Sequence, residues 1–172
     1  MTFQLEAVGT EEMESYLAEH RPEWKAPQRM LVARLSEGAL GRARGFNLEA
    51  YVAARADALA ILNSALLGGE HSQLFKVTET YRAGAEGRQK IEQLLRTAYS
   101  LLRDLMMINS GSPNLVQNTD IQAQLVKMAE AADFETLDHL AERLAEVERG
   151  MRRNLLRSLS LDTVGLPLEK TS

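Results

Sequence analysis

Apolar residues recur along most of this chain at intervals of three and four, the spacing that lines one face of an α-helix. The clearest stripe is Leu137, Leu140, Leu144, Val147, Met151 and Leu155, which persists for about five turns. It is opened by Asp133 as an N-cap and interrupted by Gly150. A second stripe, Leu48, Val52, Ala56, Leu59, Leu62 and Leu66, follows the capping residue Asn47 and stops at Gly68 and Gly69. A third, Ile91, Leu94, Leu95 and Ala98, predicts a helix over 86–109. The end of that helix, LLRDLMMI, is apolar on nearly every side, and such a segment is normally covered by neighbours on more than one side.

Shorter elements fill the rest. A helix capped by Thr10, with Glu11 and Glu12 in its first turn, buries Met13, Tyr16 and Leu17 and stops before Pro22. A second opens at Pro27, tolerated at the first helical position, and ends at Gly38 in a left-handed cap. A short piece over 40–43 ends at Gly45. A helix over 72–83 precedes a break bracketed by Gly84 and Gly87. Gly111, Ser112, Pro113 and Asn114 make a turn, and Asn118 or Thr119 caps a helix holding Ile121, Leu125 and Met128. Only 3–8, where Phe3 and Leu5 alternate with polar residues, hints at a strand. The tail from Gly165 is expected to fray. The fold class is all-α, a helical bundle preceded by a small helical piece.

Composition agrees: Gly and Pro are few and Ala, Leu, Glu and Arg dominate, the residues that lose least rotamer freedom in a helix. The 172 residues, 45% hydrophobic and 26% charged, suffice for a compact core without staples. Twenty Lys and Arg against 24 Asp and Glu give a net charge of −4, unlike the strongly basic domains of dedicated nucleic-acid binders. Cysteine is absent, which excludes disulfides, thiolate metal sites and a Cys nucleophile and fits a reducing compartment. No secretory signal and no membrane-spanning stretch is visible, so a cytoplasmic location is expected, without a membrane partner.

Catalytic patterns are missing. None of His20, His71 and His139 follows a Glu three residues earlier, as a di-iron bundle requires, so no metal site is expected. There is no His-Glu-x-x-His, no Gly-x-Ser-x-Gly and no phosphate-cradling Gly-x-x-x-x-Gly-Lys-[Ser/Thr]. Glu135 and His139 share a helix face, read as a solvated pair. Arg149, Arg153 and Arg157 line one face, with Arg152 beside them. They fit either phosphate or an acidic partner or a salt-laced exposed face on which Glu148 pairs with Arg152.

Three segments carry a resemblance. LVARLSEGALGRARGF is similar to the end of the helical lid in the AAA+ clamp-loader subunits of bacterial DNA polymerase III, where an Ala-rich helix runs into a Gly-Ser-x-Gly-Arg-Ala-like turn. LLRDLMMINSGSPNLVQNTD resembles the central collar helix and its following loop, with Asn118 and Asp120 matching an Asn-x-Asp. ERGMRRNLLRSLSLDTVGLPL resembles the last collar helix, with Asn154 ahead of its Leu-rich run. Together they span almost the whole chain, closest to the delta-prime type of subunit.

The resemblance implies that 1–46 is the remainder of a lid and 47–172 a collar domain, a bundle that joins other clamp-loader subunits in a ring. The sliding clamp and primed DNA would be met only indirectly, through the full complex. Leu101, Leu102, Leu105, Met106, Met107, Ile108 and Asn154 are the expected interface residues. No catalytic residue and no cofactor are expected in this chain; ATP belongs to a nucleotide-binding core ahead of Met1 or to neighbouring subunits. In ATP-hydrolysing relatives an Arg of the lid turn senses the nucleotide. Here Gly41 takes that position and Arg42, the sensor-like candidate, stands one residue later, a rotation of about 100°, in keeping with a subunit that does not hydrolyse ATP. Two other readings stay open: a helical adaptor or regulatory bundle unrelated to replication, and a nucleic-acid-binding bundle using Arg149, Arg152, Arg153 and Arg157.

Overall fold

The computed structural model describes residues 7–67 and 84–152. Among them all repetitive structure is helical: α1 (Thr10–His20), α2 (Ala26–Leu35), α3 (Leu40–Arg44), α4 (Leu48–Leu67), α5 (Gly84–Asn109), α6 (Gln122–Glu130) and α7 (Phe134–Arg152). Single 3-10 turns occupy Pro113–Leu115 and Thr119–Ile121. The helix expected over 72–83, most of the strand hint at 3–8, Asn154, Leu155 and the tail lie outside the described residues. The chain forms two compact units, one running to Glu49 and including Gln117–Gln122, the other made of Ala50–Val116 and the chain from Ala123 onward. The junction between the units falls in the first turn of α4, and the first unit draws in a stretch distant in sequence.

In the first unit, α1 packs on α2, both touch α3, and α2 also meets the Thr119–Ile121 turn. Met13 and Leu17 of α1 and Leu31, Val32, Ala33 and Leu35 of α2 form the core; burying a side chain of Leu or Met size contributes roughly 1.5–3 kcal/mol. Tyr16, expected inside, is half-buried and stacks on His20 at 4.0 Å instead. The N-cap of α1 is Gly9, one residue before the expected Thr10, and Glu12 reaches back to its N–H at 3.3 Å. Pro27 lies in the first turn of α2. Arg29 ties the helix pair, donating from Nε to Glu14 Oε1 at 2.8 Å and from Nη1 to the Trp24 carbonyl at 2.6 Å.

The left-handed turn after α2 is a double one, with Glu37 at φ 49° and Gly38 at φ 77°. Gly38 accepts the Val8 N–H on its carbonyl at 3.1 Å, and a Cβ there would stand 2.6 Å from Ala7 Cβ. On the Glu37 carboxylate, Oε2 accepts from Arg42 Nη1 and Oε1 from Gln117 Nε2, each at 2.9 Å. The second bond draws Gln117–Gln122 into this unit.

In the second unit α5 packs against α7 and against the Pro113–Leu115 turn. Ile91, Leu94, Leu95, Ala98, Leu101, Leu102 and Leu105 on α5 are buried, as are Leu137, Leu140, Leu144 and Val147 on α7 and Leu125 and Met128 on α6. Asp133 caps α7 as expected, its Oδ1 accepting the Thr136 N–H at 2.8 Å. Gly87 lies inside α5 rather than at a break, because the helix runs through it from Gly84. Neither Asn118 nor Thr119 caps α6 directly; a 3-10 turn intervenes and the helix starts at Gln122. The C-terminus of α5 closes with Gly111 at φ 74°, Ser112 N–H to Met107 O at 2.8 Å and Gly111 N–H to Ile108 O at 3.0 Å, the paired bonds of a Schellman cap.

The buried face of α4 differs from the expected stripe. Leu48, Tyr51, Ala54, Arg55, Ala58, Ile61, Leu62 and Ala65 are buried, whereas Val52 and Ala56 are exposed. Ala and Leu occur all round this helix, so residue type alone does not single out the face. Ser64 is also buried there, and its hydroxyl has no hydrogen-bond partner among the described residues.

Gly38→Ala should lower the unfolding free energy by about 2 kcal/mol or more in urea denaturation, since a left-handed φ and a close approach oppose the added methyl together. Ser64→Ala should leave stability unchanged or raise it by about 1 kcal/mol, because it removes a buried hydroxyl with no partner.

Candidate functional site

The apolar run at the end of α5 divides into two parts. Leu101, Leu102 and Leu105 are 0%, 2% and 0% exposed; this chain's own core already covers them, so these three expected interface positions present no surface to a partner. Leu at these positions faces inward because 101, 102 and 105 continue the stripe of 91, 94, 95 and 98. Met106 and Ile108 stand at the two edges of that stripe and Met107 on the opposite side, and all three remain half-buried. Asn154 lies outside the described residues.

Further apolar surface lies close to this end of the unit. Leu115 is 50% exposed and Phe134 59%. Arg103 Nη1 holds the Leu115 carbonyl at 3.1 Å and stands 3.3 Å from Oδ1 of the fully buried Asp104. Asn109 Nδ2 donates to the Ala132 carbonyl at 2.8 Å, bringing the end of α5 to the turn that precedes Phe134. Further along the same pair of helices, the Tyr99 hydroxyl bonds the Glu148 carboxylate. Burial and the Glu148 charge push the Tyr99 pKa above its ordinary value, with Arg149 opposing. The end of this unit thus leaves Leu115 and Phe134 exposed and Met106, Met107 and Ile108 partly uncovered. Its chemistry is that of contact, through thioether and aromatic groups that adapt to a partner surface.

Arg42 is exposed and its guanidinium pairs with Glu37. The structure thus places the sensor-like candidate in a surface ion pair next to the left-handed turn. Of the basic cluster, Arg149 is exposed and donates to the Ala145 carbonyl of its own helix at 3.3 Å; the Arg152 side chain, Arg153 and Arg157 lie outside the described residues. His139 sits 4.0 Å from Glu135 and 3.4 Å from Glu142, all exposed, as a solvated cluster. Among the described residues no three His, Asp or Glu side chains gather as a metal site, and no helix is long and apolar enough to cross a membrane.

Sequence reading missed Leu115 and Phe134. Phe134 stands three residues before Leu137, so spacing alone assigns it to the core stripe. It also missed the Glu37–Gln117 bond, which joins residues far apart in the chain. Comparison with protein-family models, with curated proteins and with solved structures finds no match to this chain.

Phe134→Ser should change the unfolding free energy by less than about 1 kcal/mol, whereas Leu105→Ala should cost about 2–5 kcal/mol, both read by urea denaturation. Because folding raises the Tyr99 pKa, the protonated form favours the folded state. Stability is therefore full below pH 10.0 and falls as pH rises beyond it. Tyr99→Phe should flatten that part of the alkaline stability curve.

Proposed function

We propose that this chain is the C-terminal region of a delta-prime-type subunit of a bacterial DNA polymerase III clamp loader, acting as an assembly module. Residues 1–46 are the remainder of an AAA+ lid, and the bundle that follows is a collar through which neighbouring subunits join in the ring that loads the sliding clamp. The observation that carries the reading is the partly uncovered apolar end of the second unit. Met106, Met107 and Ile108 are half-buried and Leu115 is exposed, all within one of the matched segments, and exposed Phe134 stands near them. The order and spacing of the three matched segments support it independently.

Stable interfaces bury on the order of 1,600 Å² around an apolar centre with a polar rim. Met106, Met107, Ile108, Leu115 and Phe134 would supply such a centre, with Arg103, Asn109 and Glu135 nearby as rim. In this reading the chain works without an active site of its own. ATP is held elsewhere in the ring, and the clamp and primed DNA are reached only through the assembled complex.

Size-exclusion chromatography with the remaining clamp-loader subunits tests this. The chain should co-elute with them, and the pair Met107→Glu and Phe134→Glu should abolish co-elution while leaving the circular dichroism spectrum and melting temperature unchanged. A folded chain that joins none of them removes the replication reading and leaves the helical adaptor in its place.

A further inference from the structure

A hollow in the first unit is lined by Tyr16, Leu17, His20, Arg21 and Arg44 and has a volume of about 240 Å³. Three of these side chains carry or accept positive charge, and none is acidic. Two helices, α1 and α3, end here, and the carbonyls of helix C-termini ordinarily repel an anion. Three carbonyls at this place already accept hydrogen bonds. The Tyr16 carbonyl is bonded by His20 Nδ1 at 2.9 Å, the Leu17 carbonyl by the Arg21 N–H at 2.8 Å, and the Arg44 carbonyl by Arg21 Nη2 at 2.9 Å. A carbonyl only accepts, so His20 Nδ1 carries the proton in that bond.

Arg21 is held further by its guanidinium lying 5.0 Å over the Trp24 ring. Among the described residues the carboxylate paired with it is that of exposed Glu23, 3.5 Å from Nη1. Arg44 is exposed, and its side chain makes no hydrogen bond or ion pair among the described residues. Tyr16 and His20 stack nearly parallel, 19° apart, as one wall. The hollow is therefore cationic on one side and flat and apolar on the other. Its volume is below the 300–1,000 Å³ of typical cofactor and drug-sized sites, which suits a single side chain better than a nucleotide.

We propose that this hollow is a socket for one Asp or Glu side chain of an acidic partner segment. The carboxylate sits between Arg44 and Arg21, and its aliphatic stem lies on the Tyr16–His20 stack. Glu23, 3.5 Å from Arg21 Nη1 and outside the lining of the hollow, competes for that guanidinium. The inference stands on the hollow alone and does not depend on the ring-subunit reading.

The test is a titration of the ¹⁵N-labelled full chain with a short Glu-rich peptide, its Gln-rich counterpart and inorganic phosphate in separate arms. The Glu peptide should shift the amide signals of His20, Arg21 and Arg44 at millimolar concentration, while the Gln peptide leaves them in place. Arg44→Gln should weaken that binding about fivefold, the scale of an exposed charge pair, with an unchanged melting temperature, and Glu23→Gln should tighten it. Absence of these shifts, equal binding by Arg44→Gln, or shifts with phosphate but not with the Glu peptide would overturn the proposal.

Discussion

The packing of α5 against α7 is the constraint on which the second unit depends. The two helices have 26 and 19 residues, about 39 and 28 Å at 1.5 Å per residue. Two polar contacts fix their alignment, Tyr99 with Glu148 and Asn109 with the Ala132 carbonyl. As the partner number falls where the α5 number rises, the pair runs antiparallel. With that alignment set, the stripe from Ile91 to Leu105 meets the stripe from Leu137 to Val147, and the side chains at the edges and back of the end of α5 remain half-covered. Surface available to a partner is thus a by-product of which face the core takes.

In the first unit, hydrophobic contact and polar linkage divide the work differently. Met13, Leu17, Leu31 and Val32 supply the burial, while Arg29 and Glu37 fix how the elements meet. Glu37 makes these bonds from a left-handed backbone, a conformation that costs a non-glycine residue of order 1 kcal/mol or more. The bonds to Arg42 and Gln117 compensate for that cost. They also give Arg42 a role at the turn that requires no nucleotide, which fits the proposed non-hydrolysing subunit.

Two surfaces carry the proposals made for this chain. The end of the second unit offers apolar contact, and the hollow between the ends of α1 and α3 offers charge and an aromatic wall. Both are built on helices and caps that hold them in place, so a partner would meet preorganised groups and lose little conformational freedom on binding.

The helical class, the stripe of α7 and its Asp133 cap, and the left-handed Gly38 were legible in the sequence. Each rests on interactions within a few residues, where spacing and side-chain chemistry suffice. The buried face of α4, the exposure of Phe134 and the capture of Gln117 by Glu37 were not. An apolar residue on a helix records only that burial is favourable; whether it is buried depends on how far neighbouring elements reach, and that is settled by contacts between residues distant along the chain.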